Sequence, residues 1–77
     1  MLNQLIYVER IIKVTKEYID ISNGDGNEAR FYFYEGMFNK EMKKGDLVGV
    51  KGKITGTIGN QCLMAEKLTW LSRREED

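Results

Sequence analysis

Histidine is absent from this 77-residue chain, and cysteine occurs once, as Cys62. Without histidine there is neither a histidine general base nor a histidine-ligated metal. One cysteine permits no internal disulfide and no thiolate cluster, which excludes structural zinc. The carboxylates show no paired spacing of the kind that acid–base catalysis needs. We therefore expect a protein that is not an enzyme and binds no cofactor or metal, and we interpret Cys62 as a small buried side chain.

The sequence also lacks a long hydrophobic run and an excess of either charge. Its apolar runs are far shorter than a membrane span, and the N-terminus has no apolar signal-peptide segment, so we expect a cytoplasmic protein without a membrane partner. Twelve basic residues balance twelve acidic ones, whereas binding nucleic acid by charge alone needs a basic excess. Nucleic-acid binding by this chain therefore requires locally placed cations together with a non-ionic contribution such as base stacking.

Alternating segments rich in β-branched and aromatic residues predict an all-β chain. Leu2–Val14 reads as a long strand with a bend or bulge within Glu9–Ile12. Tyr18–Ser22 and Ala29–Tyr34 alternate with period two and predict the next two strands. The glycines and asparagines of Asn23–Asn27 between them favour the positive φ angles that hairpin loops need.

A short helix and two more strands are expected after the third strand. Phe38 and Met42 are four residues apart, which predicts one or two helical turns within Gly36–Lys44. Leu47–Thr55 and Cys62–Leu71 again alternate as strands, with a flexible glycine-rich loop between them.

Five strands with a helix between the third and fourth is the element order of the OB-fold, a Greek-key barrel. Near-closure of such a barrel removes the exposed edges that a small open sheet would have. SH3-like barrels also have five strands but need no helix at that point. We therefore predict one OB-fold domain over residues 1–72 and a short charged tail over residues 73–77.

Three segments, in chain order, carry a family resemblance. They are MLNQLIYVERI at residues 1–11, KKGDLVGVKGKI at residues 43–54 and AEKLTWLS at residues 65–72. These resemble the first strand, the entry to the fourth strand and the end of the fifth strand of bacterial single-stranded DNA-binding proteins. The resemblance implies an OB-fold, binding of single-stranded DNA and pairing of first strands into dimers and tetramers. Glu9 stands where that family has glycine, and the family's acidic, Phe-ended tip is absent, so recruitment of repair enzymes is not implied.

The third strand is the main candidate binding site. Its apolar face is predicted to enter the core, which leaves Arg30, Tyr32 and Tyr34 on the outer face. There the tyrosines would stack bases while the guanidinium holds a phosphate. The alternative is that the tyrosines cover neighbouring sheet or an oligomer contact. Tyr18 is left out of the site, because Asp20 on the same face would repel phosphate.

Lysines supply the expected phosphate contacts. Lys51 and Lys53 project outward from the fourth strand and either line the same groove as the tyrosines or solvate a strand face. Three further lysines are interpreted as solvated surface of the predicted helix, with contact to a backbone phosphate as the second reading; they are Lys40, Lys43 and Lys44.

Homo-oligomerisation is expected through the first strand, because apolar side chains occupy both of its faces. Leu5, Tyr7 and Ile11 fall opposite a second apolar set, made of Ile6, Val8 and Ile12. We expect the first set to face a partner copy, whereas a bulge that returns Ile11 to the core is the alternative.

The function expected from these features is sequence-tolerant binding of single-stranded DNA, rather than RNA, in replication, recombination or a mobile element, with no small-molecule substrate. Two alternatives remain open. One is an OB-fold assembly module without affinity for nucleic acid, which the zero net charge favours. The other is an RNA-binding domain like those of translation factors, which would ordinarily be more basic.

Overall fold

The computed structural model describes residues 4–22, 24 and 26–75. These residues form five strands, namely β1 Gln4–Val14, β2 Tyr18–Ser22, β3 Glu28–Phe33, β4 Leu47–Thr57 and β5 Asn60–Ser72. The strands close into a barrel in the order β1-β2-β3-β5-β4, with β4 pairing back onto β1. All of these pairs are antiparallel except β3 with β5, which is parallel. The prediction of an all-β, five-stranded barrel is confirmed, and the strand order is consistent with an OB-like barrel.

Some sequence-based predictions fall outside the described residues. They concern Leu2 at the start of the first strand, Asn23 and Asp25 in the first hairpin loop, and the last two residues of the tail. Within the described residues no helix is long and apolar enough to cross a membrane.

The prediction of a helix within Gly36–Lys44 is wrong. The described segment between β3 and β4 consists of single turns, in which the N–H groups of Met37 and Met42 each donate to the carbonyl three residues earlier. The Asn39 side chain accepts the N–H of Glu41 at 2.9 Å, a local bond that competes with helix formation. So short a segment also forms too few helical hydrogen bonds to offset nucleation. Met42 is nevertheless buried, at 2% exposure.

β1 presents to the core the opposite face from the one predicted. Ile11 is 2% exposed and Tyr7 packs against the core, whereas Ile6 and Val8 are 73% and 57% exposed. Both faces of the strand are apolar, so alternation alone does not choose between them. Pairing with β4 decides the question, because Tyr7 lies opposite the buried Val50. Leu5, Tyr7 and Ile11 are therefore not an outward oligomer face, and that prediction is wrong.

A bulge in β1 lies within the predicted range. The register with β2 shifts between Ile11 and Lys13, so Ile12 is the extra residue. The shift leaves Ile11 in the core and turns Lys13 outward, opposite Asp20.

The core is centred on Phe31 of β3, which is fully buried. Tyr7 packs on it edge-to-face, with ring centroids 5.7 Å apart. Gly52 of β4 lies against the same ring, and a Cβ placed there would come 2.6 Å from Phe31 Cδ2 and 2.9 Å from the Met64 carbonyl oxygen. The remaining buried apolar side chains are Ile11, Ile19, Ile21, Met42, Val48, Val50 and Ala65.

The β4–β5 hairpin continues past the barrel wall as an arm, residues 55–62. β3 pairs with β5 only between Leu63 and Ala65, so within the described residues the arm has no third strand beside it. Its tip residue, Ile58, is 96% exposed. Cys62 is exposed for the same reason, and the interpretation of that cysteine as a buried side chain is wrong.

Candidate nucleic-acid interface

The outer face of β2 and β3 carries a pair of tyrosines. Tyr18 lies directly opposite Tyr32 in the β2–β3 register, and paired residues share a face of an antiparallel sheet. The neighbouring pair, Ile19 and Phe31, is fully buried, so the tyrosines point away from the core. Their ring centroids are 5.9 Å apart with an interplanar angle of 68°, an edge-to-face arrangement. Tyr32 keeps 36% of its surface exposed and is available to a ligand.

Arg30 is fixed between Asp20 and Tyr18. Its Nε and Nη2 donate to the two Asp20 carboxylate oxygens at 2.8 and 3.1 Å, and its guanidinium carbon lies 3.9 Å from the Tyr18 ring centroid. The bond to Asp20 and, after it, a hydrogen bond with Tyr32 raise the pKa of Arg30 above its ordinary value. The geometry suits Arg30 to hold Tyr18 in place, in addition to any contact with phosphate.

The same ion pair changes the electrostatics expected around Tyr18. Asp20 is only 3% exposed, and its two oxygens accept the bidentate bond from Arg30. A buried, paired carboxylate repels a phosphate far less than an exposed one. The charge of Asp20 is therefore a weak reason to leave Tyr18 out of the site.

Lys53 of β4 lies in line with the two outward tyrosines, on the far side of β5 from Tyr32. Tyr32 pairs with Met64 of β5, and Met64 pairs with Lys53 of β4, so these three side chains form one outward row. Neighbouring strands are about 4.8 Å apart, so the backbone of Lys53 lies roughly 10 Å from the backbone of Tyr32. Its Nζ lies 4.0 Å from Glu66 Oε2, at the limit of an ion pair.

Tyr34 and Lys51 lie at the margins of this row. Tyr34 follows the last residue of β3, is 44% exposed, and accepts the N–H of Met37 at the start of the following loop. Lys51 lies two residues before Lys53 on β4, opposite Ile6 on one side and Lys67 on the other. The structure thus joins Arg30, Tyr32 and Lys53 on one surface, with Tyr34 at its end and Lys51 on the adjoining face of β1 and β4.

Sequence reasoning missed two members of this surface, Tyr18 and Lys13. The signal for Tyr18 was present, because a five-residue loop that sets Ser22 opposite Glu28 also sets Tyr18 opposite Tyr32. Lys13 could not be placed in this way, since its outward position depends on the exact site of the β1 bulge. Its Nζ lies 5.7 Å from the Tyr18 ring centroid, within cation–π range.

The assembled surface combines the exposed ring of Tyr32 and the half-buried ring of Tyr18 with flanking ammonium groups. We call it the tyrosine face and define it by Lys13, Tyr18, Arg30, Tyr32 and Lys53. Flat rings suit planar ligands, and the ammonium groups suit anions attached to them. Among the described residues no group of three or more histidine, cysteine, aspartate or glutamate side chains could hold a metal ion.

Comparisons with known proteins give no match to a family model, to a curated protein or to a solved structure. The resemblance to bacterial single-stranded DNA-binding proteins therefore rests on the three sequence segments alone. The function is inferred from the tyrosine face and its surroundings.

Proposed function

We propose that this chain is an OB-fold module, without the usual helix, that binds single-stranded DNA irrespective of sequence. The observation that carries the proposal is the outward Tyr18–Tyr32 pair on β2 and β3, since OB-folds bind oligonucleotides on the face of these two strands. Every base has a flat face, so stacking on an aromatic ring tolerates any sequence. Stacking contributes about 1–3 kcal/mol per base, which compensates for the zero net charge of the chain.

Lysines on both sides of the tyrosines would follow the phosphates. Lys13 borders Tyr18, and Lys53 and Lys51 lie on the far side of Tyr32. A single strand releases counterions in proportion to the phosphates neutralised, giving a log–log salt slope of roughly −0.7 per contact. Contacts from Lys13, Lys53 and the adjoining Lys51 predict a slope of about −2 for an oligonucleotide that covers only the tyrosine face and its margin at Lys51.

Fluorescence anisotropy of end-labelled oligo-dT, titrated in low-salt buffer, tests the proposal. A labelled oligonucleotide is the better probe, because Trp70 packs against the core with its Nε1 buried and would respond weakly to a ligand on the tyrosine face. We expect saturable binding to oligo-dT, weaker binding to oligo-rU of the same length and weaker binding still to duplex DNA. No binding of oligo-dT in low salt would contradict the proposal.

A second candidate function is protein assembly without nucleic acid, and the outer face of β1 favours it. Ile6 and Val8 are more than half exposed, and Leu71 of β5 is 48% exposed. Exposed apolar side chains that cluster on one face mark protein contacts in small domains. Self-association of the chain together with no binding of oligo-dT would identify this function in place of the first.

A further inference from the structure

A second groove lies between the end of β1 and the loop that joins β3 to β4. Apolar side chains that include Phe38 and Met42 form its floor. Four lysines line it as well, and we call it the lysine groove after them; they are Lys13, Lys40, Lys43 and Lys44. All four lysines are exposed, so their ammonium groups can reach a ligand from water.

The lysine groove is positively charged although the chain is neutral. No carboxylate lines it among the described residues. Of the acidic residues in the same loop, Glu35 and Glu41 lie outside the lining, and Asp46 is fully buried with its oxygens bound by Arg74 and by the backbone N–H of Lys43. The ion pairs of the described residues use other cations, namely those of Arg30, Lys53 and Arg74.

The lysine groove is continuous with the tyrosine face. Lys13 belongs to both, since it lines the groove and its Nζ lies 5.7 Å from the Tyr18 ring centroid. At its other end Lys44 also borders a depression lined by Arg10, Arg74 and Glu75, in which Arg74 is paired with Asp46. An apolar floor with ammonium groups beside it matches a single strand, whose sugars and bases are apolar or flat and whose phosphates are anionic.

We infer that a single strand leaving Tyr18 continues into the lysine groove, which binds its phosphodiester backbone. This inference rests on the proposed function of the tyrosine face. It assigns Lys40, Lys43 and Lys44 to phosphate contacts, in place of the solvated helix surface that the sequence suggested. It also makes binding depend on length, because a short oligonucleotide fills the tyrosine face whereas a longer one also enters the groove.

Salt dependence with two lengths of oligo-dT, about 5 and about 15 nucleotides, tests the inference within the range that single OB-folds cover. Three additional lysine contacts at roughly −0.7 each predict a slope steeper by about 2 for the long oligonucleotide. In the variant Lys40→Gln/Lys44→Gln this difference should fall to about 0.7. The matched control Lys16→Gln/Lys67→Gln removes two exposed lysines outside the groove and should leave the difference at about 2.

The outcomes separate the groove from the tyrosine face. If the long oligonucleotide has the same slope as the short one, or if the groove variant keeps the full difference, the groove assignment is overturned while binding at the tyrosine face stands. If neither oligonucleotide binds the unmodified chain, both proposals fail. Vesicles of phosphatidylcholine and phosphatidylserine provide the last arm: vesicle binding that the groove variant loses, with oligo-dT slopes unchanged, overturns the inference in favour of a lipid surface.

Discussion

At the scale of single residues, Asp46 is the ionisable group most deeply built into the fold. It is fully buried, and its carboxylate accepts the N–H of Arg74 at 2.6 Å, the N–H of Lys43 at 3.0 Å and the Arg74 guanidinium at 3.3 Å. Burial by itself raises the pKa of Asp46, but these hydrogen bonds outweigh it and hold the pKa below its ordinary value of 3.8. The ionised side chain therefore ties the segment after β5 to the loop before β4.

The lowered pKa of Asp46 predicts a pH dependence of stability. A carboxyl group whose pKa is lower in the folded state stabilises the fold above its unfolded pKa, and that stability is lost as pH falls through the folded pKa. Asp46→Asn should reduce the free energy of unfolding at neutral pH by about 1–3 kcal/mol, because the amide leaves buried donors poorly paired. The variant should also lose less stability than the unmodified chain when the pH falls below about 4.

Urea unfolding at neutral and acid pH measures both effects. Glu41→Gln, which replaces an exposed carboxylate in the same loop, is the control and should change stability by less than about 0.5 kcal/mol. Identical loss of stability with falling pH in Asp46→Asn and in the unmodified chain would contradict the role assigned to Asp46.

At the scale of elements, the close approach of β4 to Phe31 is the packing feature most sensitive to substitution. Gly52→Ala would drive a methyl group into the Phe31 ring and the Met64 carbonyl. Overpacking of this kind destabilises by about 1–3 kcal/mol, a large share of the stability of so small a domain. Gly49→Ala on the same strand is the control, because its Cβ would meet nothing nearer than Leu71 Cδ1 at 3.7 Å. Equal unfolding midpoints in urea for the two variants would contradict the destabilisation predicted from the contact between β4 and Phe31.

The strands and loops also show which features the sequence pattern could predict and which it could not. The second strand was predicted with its observed bounds because Ile19 and Ile21 alternate cleanly with polar neighbours. The inward face of β1 was not predictable, since apolar residues occupy both faces and only the register with β4 selects one. The segment after β3 has the apolar spacing of a helix, but turn hydrogen bonds and the burial of Met42 prevail over that preference.

Prediction of the site was limited by long-range pairing. Tyr32 and Arg30 were found from alternation within one strand. The ion pair that neutralises Asp20 required the β2–β3 register, and the approach of Lys53 to the tyrosines required the closure of β3 on β5 and of β5 on β4. Contacts of this kind depend on tertiary structure, which local pattern does not specify.

At the scale of the whole molecule, one edge of the first half of β1 is not paired with another strand in the part of the chain that the structure describes. Residues 4–10 pair with β4 on one side, whereas β2 pairs with β1 only from Ile11 onward, so the other edge has no strand partner among the described residues. Ile6 and Val8 expose apolar surface on the same segment. We propose that two copies pair along this edge, which would cover both its backbone groups and its apolar side chains.

Sedimentation equilibrium tests this assembly. We expect a mass at least twice the 8.9 kDa of the chain at tens of micromolar. Ile6→Lys should shift the mass to that of the monomer, whereas Ile58→Lys at the tip of the arm, which removes an even more exposed isoleucine, should leave the mass unchanged. A monomeric mass for the unmodified chain would contradict the assembly and leave the tyrosine face to bind as a single copy.

The most direct test of base stacking is the affinity of Tyr18 and Tyr32 variants for labelled oligo-dT at one low salt concentration. Replacement of either tyrosine by alanine should weaken binding by about 1–3 kcal/mol, since each loses a stacking platform. Replacement by phenylalanine keeps the ring and should change the affinity by less than about 0.5 kcal/mol. If both alanine variants retain the circular dichroism of the unmodified chain and bind oligo-dT with undiminished affinity, base stacking on the tyrosine face is contradicted.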